Sequence, residues 1–344
     1  MFEWMNVTMP IAEQPFNIFI LVSIGFAVGV LGGFFGVGGA WVVTPALNIF
    51  GFPMAYAIGT DLAHIFGKSI VATAKHRKMG NVDIKLGVWS IIGSVLGVEA
   101  GAQVIMLLTG KGLAGPIVRY TYMVMLFGLG FYMLYDYATK DKRAAAKAAA
   151  AATGVAAPPK KAWNLPPLMT FPTSGITISF WTVMGVFFFT GFLSGFLGVG
   201  GGFIRMPALI YLIGCPTAVA VGTDLFSVLF AGAYGCFTYA VKGAVDIVGA
   251  IYMLVGASVG AQIGVTAVKY IRGYGIRLLF AIMIIMAGIS VVFKQISAAK
   301  TDIWNHLAAW VVMVGALGMC AIIIAGLIRG YRKEQYEKMM GISH

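Results

Sequence analysis

Three ionisable residues, Asp61, His64 and Lys68, stand at i, i+3 and i+7 in an otherwise apolar stretch. At about 100° per helical residue they fall in one narrow sector, so a carboxylate, an imidazole and an amine project from a single face. Placing an ionisable group in a membrane helix costs about 2.5–3.5 kcal/mol on the insertion scale, so this face cannot meet lipid. It either fixes helix packing through internal pairing or lines a route for substrate or protons. Asp224 lies 163 residues after Asp61, but Ser227 and Ala231 occupy the positions of His64 and Lys68. The missing positive charge is supplied by Arg205, where the first half has Val43. A guanidinium is planar, permanently charged and suited to forked contact with an oxyanion. Its bland alternative is to partner Asp224.

Two side-chain-poor segments could present backbone N–H groups to the same solute. One is Gly33-Phe34-Phe35-Gly36-Val37-Gly38-Gly39, followed by Pro45-Ala46-Leu47. The other is Gly195-Phe196-Leu197-Gly198-Val199-Gly200-Gly201, followed by Pro207-Ala208-Leu209. Without side chains the chain can approach an anion closely, and a short helix starting there aims its positive dipole end at it. Gly36, Gly38, Gly39, Gly198, Gly200 and Gly201 are the candidate backbone donors. Glycines also permit plain helix crossing, so the proline at matched spacing is what raises these loops above packing. Thr60 and Thr223 offer uncharged hydroxyl donors beside Asp61 and Asp224. Those aspartates either exchange protons or cap their own helices.

The elements that position these groups read as membrane helices. Of the 344 residues 60% are hydrophobic and 10% charged, and the mean hydropathy is +0.90, against roughly a quarter charged in soluble domains. Apolar runs from Phe16 to Val30 and the glycines beyond, Leu86 to Leu108, Ile117 to Tyr135 and Trp310 to Ile328 suit bilayer spans. Period-2 barrel strands are absent, which selects helices. Gly93, Gly97 and Gly101, and likewise Gly256, Gly260 and Gly264, form small-residue ridges for close helix packing. Net charge +12 reflects short loops beside apolar spans, so it does not call for nucleic acid. Cys215, Cys236 and Cys320 lack metal-ligand spacing and read as packing residues.

The repeat extends beyond the loops. Gly59-Thr60-Asp61-Leu62 returns as Gly222-Thr223-Asp224-Leu225, Gly80 meets Gly243, and Val82-Asp83-Ile84 meets Val245-Asp246-Ile247. Stretches of about a dozen residues, 40–50 and 202–213, are too short to span and suggest broken or re-entrant helices lining a cavity. The expected architecture is an all-α integral membrane protein with two inverted repeats of about five segments each, plus one extra C-terminal transmembrane helix. Boundaries fall at 1–138 for the first repeat, 139–170 for a basic Ala/Pro-rich cytoplasmic linker, 171–296 for the second repeat and 297–344 for the last span and tail. Basic clusters at Lys75, Arg77, Lys78 and Lys85, in the linker, at Lys269, Arg272 and Arg277, and at Arg329, Arg332, Lys333 and Lys338 belong in the cytoplasm. That puts the N-terminus outside and the C-terminus inside the cytoplasmic membrane. The N-terminus lacks the charged start of a cleavable signal peptide, so the first span is expected to be retained.

Together with His76-Arg77-Lys78-Met79-Gly80-Asn81-Val82-Asp83, these blocks resemble the TauE/SafE family of sulfite exporters over about Phe16 to Phe293. The resemblance implies a secondary transporter that moves sulfite, a sulfonate such as sulfoacetate, or a related sulfur-containing anion, mostly outward. Family members often carry Ser where this chain has Asp61 and Asp224. An anion bound beside these carboxylates therefore requires them to be protonated or paired. On this reading Arg205 supplies fixed charge, and His64 and Lys68 line the route. The partners are a small anionic substrate and the bilayer, with a homodimer left open. No cofactor, metal or catalytic residue is expected, and no phosphate-binding Walker loop is present. The alternatives are a cation or proton carrier using Asp61 and Asp224, and an accessory membrane protein without a substrate.

Overall fold

The protein is described by a computed structural model over residues 6–10, 15–39, 42–43, 47, 54–110, 114–141, 165–197, 202–241, 243–271, 273–297 and 302–340. The first half contains β1 (Asn6–Thr8), β2 (Pro15–Asn17), α1 (Ile18–Phe35), α2 (Met54–Lys78), α3 (Ile84–Gly110) and α4 (Ala114–Ala138). The second contains β3 (Leu168–Phe171), β4 (Ile176–Ser179), α5 (Phe180–Leu197), α6 (Gly202–Ala208), α7 (Thr217–Val241), α8 (Ile247–Tyr270) and α9 (Tyr274–Ser297). A wider π-helical turn, Leu209–Ile213, follows α6, and α10 (Asp302–Met339) ends the described chain. Among the described residues six helices are long and apolar enough to cross a membrane. Large apolar side chains such as Val95, Val124, Phe131, Phe237 and Trp310 are exposed on their outer faces, as lipid contact requires.

The small-residue ridges decide the packing, because they let backbones touch. A Cβ on Gly25, Gly29 or Gly33 of α1 would fall 2.0–2.5 Å from the carbonyl oxygens of Met253, Ala257 and Ala261 on α8. Reciprocally, one on Gly256, Gly260 or Gly264 would fall 2.0–2.2 Å from those of Val22, Phe26 and Val30. Rising numbers face rising numbers, so α1 and α8 run parallel. The matching pair is α3 with α5, where Gly97 lies against the Phe188 carbonyl and Gly191 against that of Ser94. By contrast α2 and α7 run antiparallel, with Gly59 against Tyr239, Gly235 against Leu62, Gly232 against Ile65 and Phe66, and Gly222 against His76. α4 and α9 are also antiparallel, since Gly130 meets Ile285 and Gly288 meets Phe127. These closest pairs each join one half to the other.

Local geometry repeats with the sequence. Gly80 and Gly243 adopt left-handed φ of 72° and 67°, a conformation glycine takes without a Cβ penalty. Around them Asn81 N–H donates to His76 O and Ala244 N–H to Tyr239 O, at 2.9 and 3.0 Å. Asp83 and Asp246 then start α3 and α8 by accepting from Leu86 N–H and Gly249 N–H.

The all-α expectation needs one amendment. Each half opens on a short antiparallel hairpin, pairing Asn6 with Asn17 and Leu168 with Ser179. Met9 and Phe171, at matched positions in these hairpins, are fully buried. The second hairpin begins inside the segment assigned to the linker, much of which lies outside the described residues. The 202–213 stretch is a short buried helix with Pro207 inside, closed by the π-helical turn and by Gly214 at φ 92°. Its first-half counterpart is described only at 42–43 and 47. Arg277, grouped with the loop cations on sequence, instead packs within α9. Its Nη1 donates to Asp136 Oδ2 at 3.0 Å and its Nε to Thr217 Oγ1 at 3.1 Å.

Candidate functional site

α1 ends where Gly36 takes a left-handed φ of 83° and caps the helix by donating its N–H to Gly32 O at 2.9 Å. That N–H is therefore spent within the turn. The turn is crowded by backbone. A Cβ on Gly36 would lie 2.7 Å from Val221 O, and one on Gly38 would lie 3.2 Å from Ile65 Cδ1. Gly39, at φ 98°, would place one 2.3 Å from Val28 Cγ1. Gly198, Gly200 and Gly201 lie outside the described residues. Gly202, which follows them directly, packs against the first turn, its Cβ position 3.1 Å from Val37 Cα and 3.4 Å from Gly38 N.

Two buried cations belong to this region, and one of them, Lys68, reaches the turn. Lys68, fully buried, donates from Nζ to Gly38 O, and its amine lies 2.8 Å from where Gly39 would carry a Cβ. Arg205 comes from α6 and is 3% exposed; its Nη1 lies 3.4 Å from Asp224 Oδ1, which is fully buried. Among the described residues neither Asp224 oxygen nor Arg205 Nε has a hydrogen-bond partner. The guanidinium therefore retains donor capacity.

The remaining predicted residues divide by depth. Asp61 and His64 share the face with Lys68, His64 Nδ1 lying 3.4 Å from Asp61 Oδ1, and both are buried. Lys68 stands midway between the end contacts of the α2–α7 pair at Gly59 and His76. In the antiparallel register Asp61 and Asp224 lie about 18 Å apart along the helix axes, on opposite sides of that midpoint. Thr60 and Thr223 separate likewise. Thr60 Oγ1 accepts from Asp246 N–H at 2.9 Å and Thr223 Oγ1 from Asp83 N–H at 3.0 Å, so each ties its helix to the other half.

Sequence reasoning passed over His76 and Ser90 as site neighbours. His76 is fully buried with Nε2 at 3.0 Å from Gly33 O, and Ser90 contacts Ser227 hydroxyl to hydroxyl. His76 sits within a quoted motif, but nothing in its local sequence announces a partner on α1.

Helices that cross a bilayer around a buried, charge-bearing centre define a multi-pass membrane transporter. The chain belongs to the sulfite exporter TauE/SafE family, whose pattern covers residues 21–291. It is similar to "Probable membrane transporter protein YunE" of Bacillus subtilis, 27% identical over 286 residues, 80% of this chain and 98% of that one. A "Probable membrane transporter protein" of Xylella fastidiosa is 28% identical over 281 residues, covering 79% and 92% of the two chains. YjnA of Bacillus subtilis, also a "Probable membrane transporter protein", is 24% identical over 277 residues, covering 79% and 98%. No solved structure shows significant similarity. Membership of this family marks the chain as a transporter and not an enzyme, and the described residues hold no cluster of metal-ligating side chains.

Proposed function

We propose that the protein is a secondary transporter that carries a small sulfur-containing oxyanion, such as sulfite, thiosulfate or sulfoacetate, out of the cytoplasm by alternating access. The observation that carries this reading is that buried Lys68 contacts the Gly36–Gly39 turn where Gly202 packs against it, while buried Arg205, on the short helix that Gly202 begins, faces Asp224. Buried cations next to side-chain-poor backbone suit a compact negative solute. Gly38 and Gly39, with Gly198, Gly200 and Gly201, supply backbone contacts. Asp61 and His64 line the access route on one side, and Asp224 holds Arg205 on the other.

The two halves act as inverted repeats of about five segments each, related by an axis in the membrane plane, with α10 added. The antiparallel pairing of the matched helices α2 and α7, and of α4 and α9, supports that symmetry. Loop charges support an outside N-terminus and a cytoplasmic C-terminus. A cation carrier built on both aspartates is disfavoured, because residues about 18 Å apart along the helices cannot ligate one ion.

A thermal-shift screen of detergent-purified protein against sulfite, thiosulfate, sulfate, sulfoacetate, taurine and sodium tests the reading. Stabilisation by sulfur oxyanions, lost in Arg205→Ala, is expected. Stabilisation by sodium alone would favour the cation carrier. Silence from every ligand would favour an accessory role.

A further inference from the structure

We infer that each anion enters the site together with one proton, and that Asp224 is the residue that takes it. This deepens the anion reading and rests on it.

Every other buried aspartate has support in addition to, or in place of, an ion pair. Asp83 accepts from Leu86 N–H and from both Ser174 donors, and Asp246 accepts from Gly249 N–H. Asp136 is held by Arg277 and by the Tyr211 hydroxyl. Asp61 has His64 beside it and further interactions. Asp224 receives no hydrogen bond from the described residues and stands opposite Arg205. Nearby hydroxyls are turned elsewhere, since Thr223 Oγ1 accepts from Asp83 N–H and Ser227 donates to Thr223 O.

Among the described residues the neighbouring elements supply no substitute cation, and Lys75 of α2 donates to Gln262 O. On α2, Lys68 is engaged with Gly38 O and His76 with Gly33 O, while His64 lies beside Asp61 toward the other end. On α3, the nearest ionisable groups are Asp83, already described, and Lys85, which donates to Thr170 O. Arg205 is therefore the counter-charge of Asp224 among the described residues.

Among the described residues Arg205 is the cation that faces Asp224. An oxyanion drawing Arg205 into forked contact separates the guanidinium from Asp224 and leaves a buried carboxylate beside a second negative charge. Leaving a buried charge uncompensated is strongly unfavourable. A proton from the water of the facing compartment restores neutrality by binding an Asp224 oxygen. It is released when the anion departs and Arg205 returns.

The test uses full-length protein in weakly buffered detergent, with sulfoacetate as probe because its charge is constant between about pH 6 and 8. A pH-indicator dye should report about one proton taken up per anion bound, and Kd should rise about tenfold per pH unit where free Asp224 is ionised. Asp224→Asn should bind without proton uptake and with a flat pH profile; Asp224→Ser serves if the first variant does not fold. Proton-free binding by the wild type, or undiminished proton uptake in either folded variant, overturns the proposal and leaves the anion reading standing. Failure of sulfoacetate, sulfite and thiosulfate all to bind would remove the anion reading and this inference with it.

Discussion

At the scale of single residues the site depends on how tightly Lys68 is enclosed. Its amine donates to Gly38 O while standing within 2.6–2.8 Å of the positions where Gly32 and Gly39 would carry Cβ atoms. Lys68→Met should weaken sulfite or sulfonate binding at least tenfold, about 1.4 kcal/mol or more, with the fold kept. Lys68→Arg should not rescue it, because a longer, forked head has no room there. Titrating ligand into each purified variant checks both; wild-type affinity in Lys68→Met would remove the lysine from the site. Gly39→Ala should be worse, since it meets both a left-handed φ and Val28 Cγ1. The types and spacing of these groups were legible in the sequence, because charge is conspicuous in an apolar helix. Their partners were not. Thr60 and Thr223 read as hydroxyl donors to substrate, and each also accepts a backbone N–H from the Asp of the opposite half. Both motifs were visibly repeated, but a repeat does not reveal that one copy is tied to the other copy's neighbour.

At the scale of elements the glycine ridges hold the turn and its cations in place. α8 lies along α1, and α1 ends in the Gly36–Gly39 turn, so spreading this pair moves the site. A Cβ on Gly260 would fall 2.2 Å from Phe26 O, an atom of rigid backbone that cannot step aside as a side-chain tip can. Gly260→Leu should therefore destabilise the protein by about 1–3 kcal/mol or more, through overpacking. The readout is a fall in thermal midpoint with loss of a single size-exclusion peak, and Gly318→Leu, with open space at its Cβ, should change neither. The i, i+4, i+8 spacing made the ridges at Gly93 and Gly256 readable in advance. The hairpins were not readable, because strands of three or four residues carry too little alternation to register as a period. The Arg277 pair was hidden for a related reason: a loop-charge rule sees position near a span end and is blind to the Asp136 carboxylate that arrives from another helix.

At the scale of the whole molecule the sequence repeat and the packing carry different information. Matching offsets point to halves of shared fold, but do not tell that their helices interleave, with α1 on α8, α5 on α3 and α2 on α7. Interleaving follows from contact geometry, and it bears on the proposed symmetry axis. If the halves were related by an axis along the membrane normal, the matched helices α2 and α7 would run parallel. They run antiparallel, which supports the proposed axis in the membrane plane, and that arrangement predicts that the turns after α2 and α7 open on opposite sides of the bilayer. On the proposed topology the basic Lys75–Lys78 segment puts the first of these turns in the cytoplasm. In a background lacking native cysteines, Lys78→Cys should react with a membrane-impermeant maleimide in inside-out vesicles alone. Val241→Cys should react in intact cells alone. Both positions are exposed, so access rather than burial governs labelling. Reaction of both from one side would rule out the inverted arrangement, and with it any single site reached alternately from each compartment by the exchange of equivalent halves.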